Sequence, residues 1–131
     1  MPTFSAAGAN DPQFITLGGD ATEGAFVATL FDRETDAAKE FIAAYKAEFG
    51  EEPTEAAAWA YDAASMIFAA LDAGAEDRES IIAKASELGR FDLPLHGPLV
   101  LSDTQGVELQ DGYTLSQILV VKDGQFTSYQ G

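Results

Sequence analysis

The chain has 131 residues, of which seven are Lys or Arg and 22 are Asp or Glu, giving a formal net charge of −15. Such a surface repels phosphate backbones and anionic membranes, which argues against binding to nucleic acid. The absence of cysteine excludes disulfides, thiolate catalysis and zinc–thiolate sites. A hydrophobic content of 47% is enough for a core, and the length fits one domain.

Loop-forming residues dominate the first twenty positions, where Asp11 followed by Pro12 predicts the start of a helical turn. The apolar run over residues 24–31 then predicts a buried strand. A long start with little structure of its own is unusual for a self-sufficient domain. This feature suggests that the chain is part of a larger protein.

Two helices follow this strand. The first, over residues 35–49, has an apolar face and ends at Gly50. The second begins after Thr54, a residue suited to capping it, and runs to Gly74. Apolar residues lie nearly all round the second helix, which is typical of a central, buried helix.

A third helix is predicted over residues 77–89. Asp77 is suited to capping its start, and Gly89 to closing its end. Ile82 and Leu88 are among the apolar residues that we expect to face inward.

The remainder of the sequence is β-like. Residues 98–102 predict a strand, residues 103–106 a turn, and residues 116–129 a hairpin around Asp123 and Gly124. The order of elements predicts an α/β fold with three main helices packed on a small mixed sheet.

Groups suited to catalysis are sparse. The single histidine, His96, lies at a predicted loop-to-strand entry, where a structural or exposed role is commoner than a catalytic one. No G-x-S-x-G elbow is present to activate a serine. Acidic residues cluster at two helix starts, where they favour the helix dipole, with adventitious calcium binding as the alternative. The sequence therefore predicts no enzyme, no metal site and no cofactor.

The first two helices carry an ordered set of aromatic, Gly, Pro and small residues. Its members are Phe41, Tyr45, Gly50, Pro53, the run Tyr61, Asp62 and Ala63, and the pair Ala70 and Leu71. This order resembles the helix pair near the C-terminus of type I periplasmic solute-binding proteins, the branched-chain amino-acid (Leu/Ile/Val) receptor family. A turn at Thr22, Glu23 and Gly24 extends the similarity upstream, and the last helix and closing strands extend it downstream.

The resemblance implies a protein whose two α/β lobes close on a small solute and deliver it to the membrane permease of an ABC transporter. The solute is expected to be an amino acid or a small carboxylate or amide, and the location the periplasm. The sequence matches only the C-terminal part of such a receptor, so residues 1–131 are expected to form a single partial domain. The first residues lack the pattern of a secretory signal, which favours a mature, trimmed or recombinant chain.

The resemblance also implies where ligand contacts lie. In the family, an acidic residue at the position near Ala7 holds the ligand's amino group, and no carboxylate is present there in this sequence. Small residues at the family's contact positions would suit a bulkier ligand, such as an aromatic or carboxylate solute. Trp59 either packs internally or lines the cleft. The predicted contacts are Ser5, Ala6, Ala7 and Gly8 in one loop, Ala56 at the start of the second helix, and Trp59.

Two other functions stay open. A truncated or engineered α/β module would expose sheet edges and apolar faces, which predicts self-association into a homo-oligomer without ligand binding. A sensory ligand-binding domain built on the same fold is the other alternative.

Overall fold

The computed structural model describes residues 3–102, 107–108 and 117–129 of the chain. Short 3-10 turns occupy Ala7–Ala9 and Gly19–Thr22. The α/β class and the mixed sheet predicted from the sequence are confirmed. In chain order, the elements are β1 (Phe4–Ser5), α1 (Pro12–Gly18), β2 (Phe26–Thr29), α2 (Asp36–Phe49), α3 (Glu55–Asp72), α4 (Arg78–Leu88), β3 (Arg90–Leu93), β4 (Gly97–Leu101), β5 (Val107–Glu108), β6 (Gln117–Lys122) and β7 (Gln125–Ser128).

The described residues form two compact units. The first unit contains the described residues up to 58 and those from 117 onward, and the second contains residues 59–102 and 107–108. The boundary falls within α3, whose first turn belongs to the first unit. The expectation of a single partial domain over residues 1–131 stays a prediction.

The sheet of the first unit has the strand order β1-β2-β6-β7, with β1 and β2 parallel and the other pairs antiparallel. Along β2, Val27 and Thr29 are buried while Phe26 and Ala28 are only partly covered. This alternation follows from the two-residue period of a strand, which turns successive side chains to opposite faces. Val27 pairs in register with Leu119, and both side chains are buried.

Capping residues set the helix limits close to their predicted positions. The Thr35 hydroxyl accepts a hydrogen bond from the Ala38 N–H at 3.2 Å, and α2 ends at Gly50, whose φ is +75°. Asp11 accepts from the Gln13 N–H at 2.8 Å and starts α1. The helix boundaries predicted from capping chemistry are therefore confirmed.

The predicted hairpin is also confirmed, and its turn has a tertiary partner. Asp123 and Gly124 have φ values of +52° and +70°, which is typical of a two-residue type I′ turn. The Glu23 carboxylate accepts hydrogen bonds from the Asp123 N–H at 3.0 Å and the Gly124 N–H at 3.3 Å. Glu23 therefore anchors the hairpin to the segment that leads into β2.

The second unit holds the antiparallel sheet β3-β4-β5. Sequence patterns missed β3, although Phe91 and Leu93 alternate with exposed residues in it. Helix α4 begins with a reciprocal capping box between Asp77 and Ser80 and ends at Gly89. The turn predicted at residues 103–106 lies outside the described residues.

Two predictions of burial are wrong. Helix α3 is not buried all round, since Ile67 is 46% and Phe68 is 63% exposed. In α4, Ile82 and Leu88 are 52% and 42% exposed instead of facing inward. An apolar pattern indicates which faces could be buried, but burial also requires a covering surface, and these side chains remain open to solvent.

Candidate functional site

The parallel pairing of β1 and β2 brings two chain segments to one edge of the first unit's sheet. Ser5 ends β1 and Thr29 ends β2, so the segments that follow both strands leave from the same edge. Gln117, the first residue of the antiparallel β6, pairs with Thr29 at this edge. In open α/β sheets, ligands bind outside the carboxyl ends of the strands. We take this edge as the candidate site.

The predicted contact loop lies at this edge. After Ser5, Ala6 is extended and the 3-10 turn Ala7–Ala9 follows. The turn is closed by hydrogen bonds from the Ala9 N–H to the Ala6 carbonyl and from the Asn10 N–H to the Ala7 carbonyl, both at 2.9 Å. Ala6 and Gly8 are exposed. The loop therefore presents short side chains and backbone to solvent.

A buried carboxylate that sequence reasoning missed fixes the end of this loop. Glu55, the first residue of α3, is only 5% exposed. Its Oε2 accepts hydrogen bonds from Asn10 Nδ2 at 3.2 Å and from the Thr29 hydroxyl at 2.7 Å. Its Oε1 accepts from the Leu30 N–H at 3.1 Å. One carboxylate thus joins the loop after β1, the end of β2 and the start of α3.

The donors and acceptors of this network are consistent with one another. The Thr29 hydroxyl gives its proton to Glu55, and accepts from Asn10 Nδ2 at 2.7 Å and the Phe31 N–H at 3.1 Å. A hydroxyl has one proton to donate and two lone pairs, so this arrangement uses its full capacity. The contact with Glu55 also fixes the orientation of the Asn10 side-chain amide. A flipped amide would place its Oδ1 against the Glu55 carboxylate. The Glu55 carboxylate therefore has donors on both of its oxygens.

Ala56, predicted as a contact, directly follows Glu55 of this network in the chain. Thr54 caps α3 by accepting from the Ala57 N–H at 3.2 Å, and Ala56 is exposed in the first turn. Asn10 directly follows the loop and Glu55 directly precedes Ala56. Their hydrogen bond therefore brings together the two places where the sequence predicted ligand contacts.

An open depression lies next to the loop. It has a volume of about 580 Å³, and the 3-10 turn Gly19–Thr22 contributes Thr22 to its wall. Two of the predicted contact residues, Ser5 and Gly8, line it. The volume is within the range of small-molecule sites. Other residues that line it are Ala9, Asp11, Phe14 and Leu17.

Trp59 belongs to the second unit, where it takes part in packing. Its ring stacks on the His96 ring, with centroids 3.6 Å apart and planes 14° from parallel. Asp62, fully buried one turn along α3, lies 2.7 Å from His96 Nδ1 and accepts from the N–H groups of Leu95 and His96. His96 is buried, and these contacts give it a structural role at the turn between β3 and β4. A role for Trp59 in ligand binding stays a prediction.

The described residues contain neither a membrane-spanning helix nor a candidate metal cluster. No helix in residues 3–102 or 117–129 is both long and apolar enough to cross a membrane. Within the same described part of the chain, no group of three or more His, Cys, Asp or Glu side chains is placed to hold a metal ion.

Comparison with protein families gives a clear match. The family model described as periplasmic binding protein matches residues 1–125. The chain therefore belongs to the periplasmic binding protein family, which confirms the resemblance inferred from the helix pair. No curated protein matches the chain.

Solved structures of similar proteins agree with this assignment. The leucine binding protein LivK from Thermotoga maritima is 26% identical, with a TM-score of 0.73, and the match covers 98% of this chain and 36% of that one. A putative branched-chain amino acid ABC transporter protein from Rhodospirillum rubrum is 28% identical, with a TM-score of 0.68 and coverages of 98% and 37%. LivJ from Streptococcus pneumoniae, in complex with isoleucine, has a TM-score of 0.81 at 20% identity, with coverages of 97% and 36%. The last likeness concerns the fold alone. The chain spans well under half the length of each of these proteins.

Proposed function

We propose that the chain contributes to a non-catalytic substrate-binding component of an ABC transporter for amino acids or related small polar solutes. The main observation that supports this proposal is that Glu55 links the contact loop to the first turn of α3 by hydrogen bonds. This arrangement supports a preorganised wall for a solute at the carboxyl edge of β1 and β2. The periplasm as the location, and a membrane permease as the partner of the complete protein, are parts of the same proposal.

The short side chains at the site support a choice of ligand. Ala6, Gly8 and Ala56 are exposed and small, so they leave room beside the loop. No carboxylate occupies the position near Ala7. We therefore propose a solute bulkier than a branched-chain amino acid, with an aromatic or carboxylate solute as the first candidate.

The test is a thermal melt of the chain with amino acids, aromatic acids and small amides. A ligand that binds only the folded state raises the melting temperature by an amount set by its concentration over its Kd. Ala56→Leu should abolish the rise because the larger side chain fills the site. Ala43→Leu is the matched control, since Ala43 is an exposed alanine of α2. A rise that survives Ala56→Leu, or no rise with any compound, would contradict the proposal.

A second candidate function is self-association, which one observation favours. The exposed face of α3 carries no charged residue over its length from Ala56 to Leu71. Its exposed members are Ala56, Ala60, Tyr61, Ala63, Ile67, Phe68 and Leu71. An uncharged face of this length on a chain of net charge −15 is typical of a surface that another surface covers.

Light scattering over a range of protein concentrations tests this second candidate. A homo-oligomer formed through α3 should dissociate in Phe68→Asp. Leu17→Asp is the control, because Leu17 is an exposed apolar residue of another helix, α1. A monomer at all concentrations would contradict self-association.

A further inference from the structure

A separate cavity in the first unit has the features of a second binding site. Its volume is about 410 Å³, and α1 contributes Pro12, Ile15 and Thr16 to its wall. The depression beside the contact loop is lined from α1 by other residues, among them Phe14 and Leu17. Residues three and four apart share one face of a helix. The two spaces therefore lie against different faces of α1 and share no lining residue.

Arg33 provides a largely buried positive charge in this cavity. Its side chain is 16% exposed, and burial lowers its pKa, against the opposing influence of Glu52, Glu55 and Asp11. Nη2 donates to the Pro53 carbonyl at 2.8 Å, while the contact of Nη1 with Glu52 is longer, at 3.4 Å. Nε is buried and makes no hydrogen bond to the described residues, so only the two Nη groups can meet a ligand. Each Nη carries two N–H donors and makes one of these two contacts, so Arg33 keeps donor capacity there for an acceptor such as a carboxylate.

Glu52 provides the opposite charge in the same cavity. Its Oε2 faces Arg33, and its Oε1 accepts from Lys46 Nζ at 3.2 Å. The side chain is 43% exposed, so one side of the carboxylate is open to a ligand. Ile15 and Phe126 form an apolar part of the wall. A few convergent polar groups on an apolar wall are typical of small-molecule sites.

We propose that this cavity binds an α-amino acid with an apolar side chain. The ligand carboxylate pairs with the Arg33 guanidinium, the ligand ammonium pairs with Glu52, and the side chain packs on Ile15 and Phe126. A plain anion fits less well, because Asp11, Glu52 and Glu55 all act on Arg33. A plain cation also fits less well, because Arg33 and Lys46 already face Glu52. A zwitterion satisfies both charges without adding net charge to the site.

This site is distinct from the one at the carboxyl edge, and it is inferred independently of the proposed function. None of its lining residues is among the predicted ligand contacts. An accessory site for an apolar amino acid would let one unit respond to ligands at two places.

Titration of the 131-residue chain with leucine tests the proposal, using calorimetry and backbone amide shifts. We expect leucine to shift the amides of Gln125 and Phe126, which line the cavity. Arg33→Met and Glu52→Gln should each weaken binding at least tenfold. Leucinamide lacks the carboxylate and 4-methylpentanoate lacks the ammonium, so each should also bind at least tenfold more weakly. Ala56→Leu should leave these shifts unchanged.

The Arg33 and Glu52 variants could lose binding because they unfold. A substitution that keeps both charged side chains controls for this. Thr16→Phe should fill the cavity and weaken leucine binding, while Ala43→Phe, at an exposed position of α2 that lines neither space, should not. Leucine that shifts Ser5 and Gly8 instead of Gln125 and Phe126 would overturn the second site. It would support amino-acid binding at the carboxyl edge and contradict the choice of a bulkier solute there. Leucine that shifts none of these amides would overturn the second site. The thermal melts with amino acids, aromatic acids and small amides would still test the proposed function.

Discussion

Asn10 donates a hydrogen bond to Glu55 across 45 positions of sequence, and both side chains are buried. Asn10 ends the loop that follows β1, and Glu55 begins α3. The bond therefore sets the position of the loop against the helix.

Glu55→Gln should destabilise the chain by about 1–3 kcal/mol, because the amide nitrogen of glutamine would face buried donors that need an acceptor. The free energy of unfolding in urea measures the change. Glu51→Gln is the control, since Glu51 is exposed just before the same helix, and its effect should stay within about 0.5 kcal/mol. Equal effects of the two substitutions would contradict the role given to Glu55.

Asp62→Ala should cost about 3 kcal/mol or more, because the buried N–H groups of Leu95 and His96 would lose their acceptor. Asp72→Ala, at an exposed position near the end of the same helix, should cost far less. Urea unfolding followed by the fluorescence of Trp59, the single tryptophan, reports on this unit directly. A loss no larger than that of Asp72→Ala would be evidence against the anchoring role.

The cap of α4 should make stability depend on pH. Hydrogen bonds from the Ser80 backbone and side chain lower the pKa of Asp77 below its ordinary value of 3.8. A lowered folded-state pKa means that the stabilisation is fully present above the unfolded-state pKa and is lost as the pH falls through the folded value. The native chain should therefore melt above Asp77→Asn at pH 7, and the gap should close as the pH falls below 3.8. A gap that is constant with pH would rule out a charged cap.

Two glycines should respond oppositely to alanine. Gly124→Ala should cost about 1 kcal/mol, because Gly124 has a φ of +70° and a Cβ is strained there. Gly8→Ala should leave stability unchanged or slightly raised, because Gly8 has no positive φ and no heavy atom lies within 4 Å of an added Cβ. Thermal melts of both variants compare them. Destabilisation by Gly8→Ala would mean that the contact loop is tighter than the structure indicates.

Local chemistry made most of the secondary structure predictable. Thr35, Asp77 and Gly50 act as caps because their side chains or their freedom at positive φ satisfy helix ends, whatever the surroundings. The hairpin at Asp123 and Gly124 follows from the same kind of local preference. The short strand β1 and the strand β3 were missed because a two-residue strand and a four-residue alternation give too little pattern to detect.

The sequence by itself determined the family, the helix limits and the loop in which ligand contacts are expected, because each rests on residue order or on contacts within a few positions. Tertiary structure alone decided which polar groups meet. Glu55 looked like one of several acids at a helix start, and only the fold buried it against Asn10 and Thr29. The pairing of Asp62 with His96 and the cavity at Arg33 arose in the same way. Such contacts join residues tens of positions apart, and a local pattern carries no information about which distant donor will reach a given acceptor.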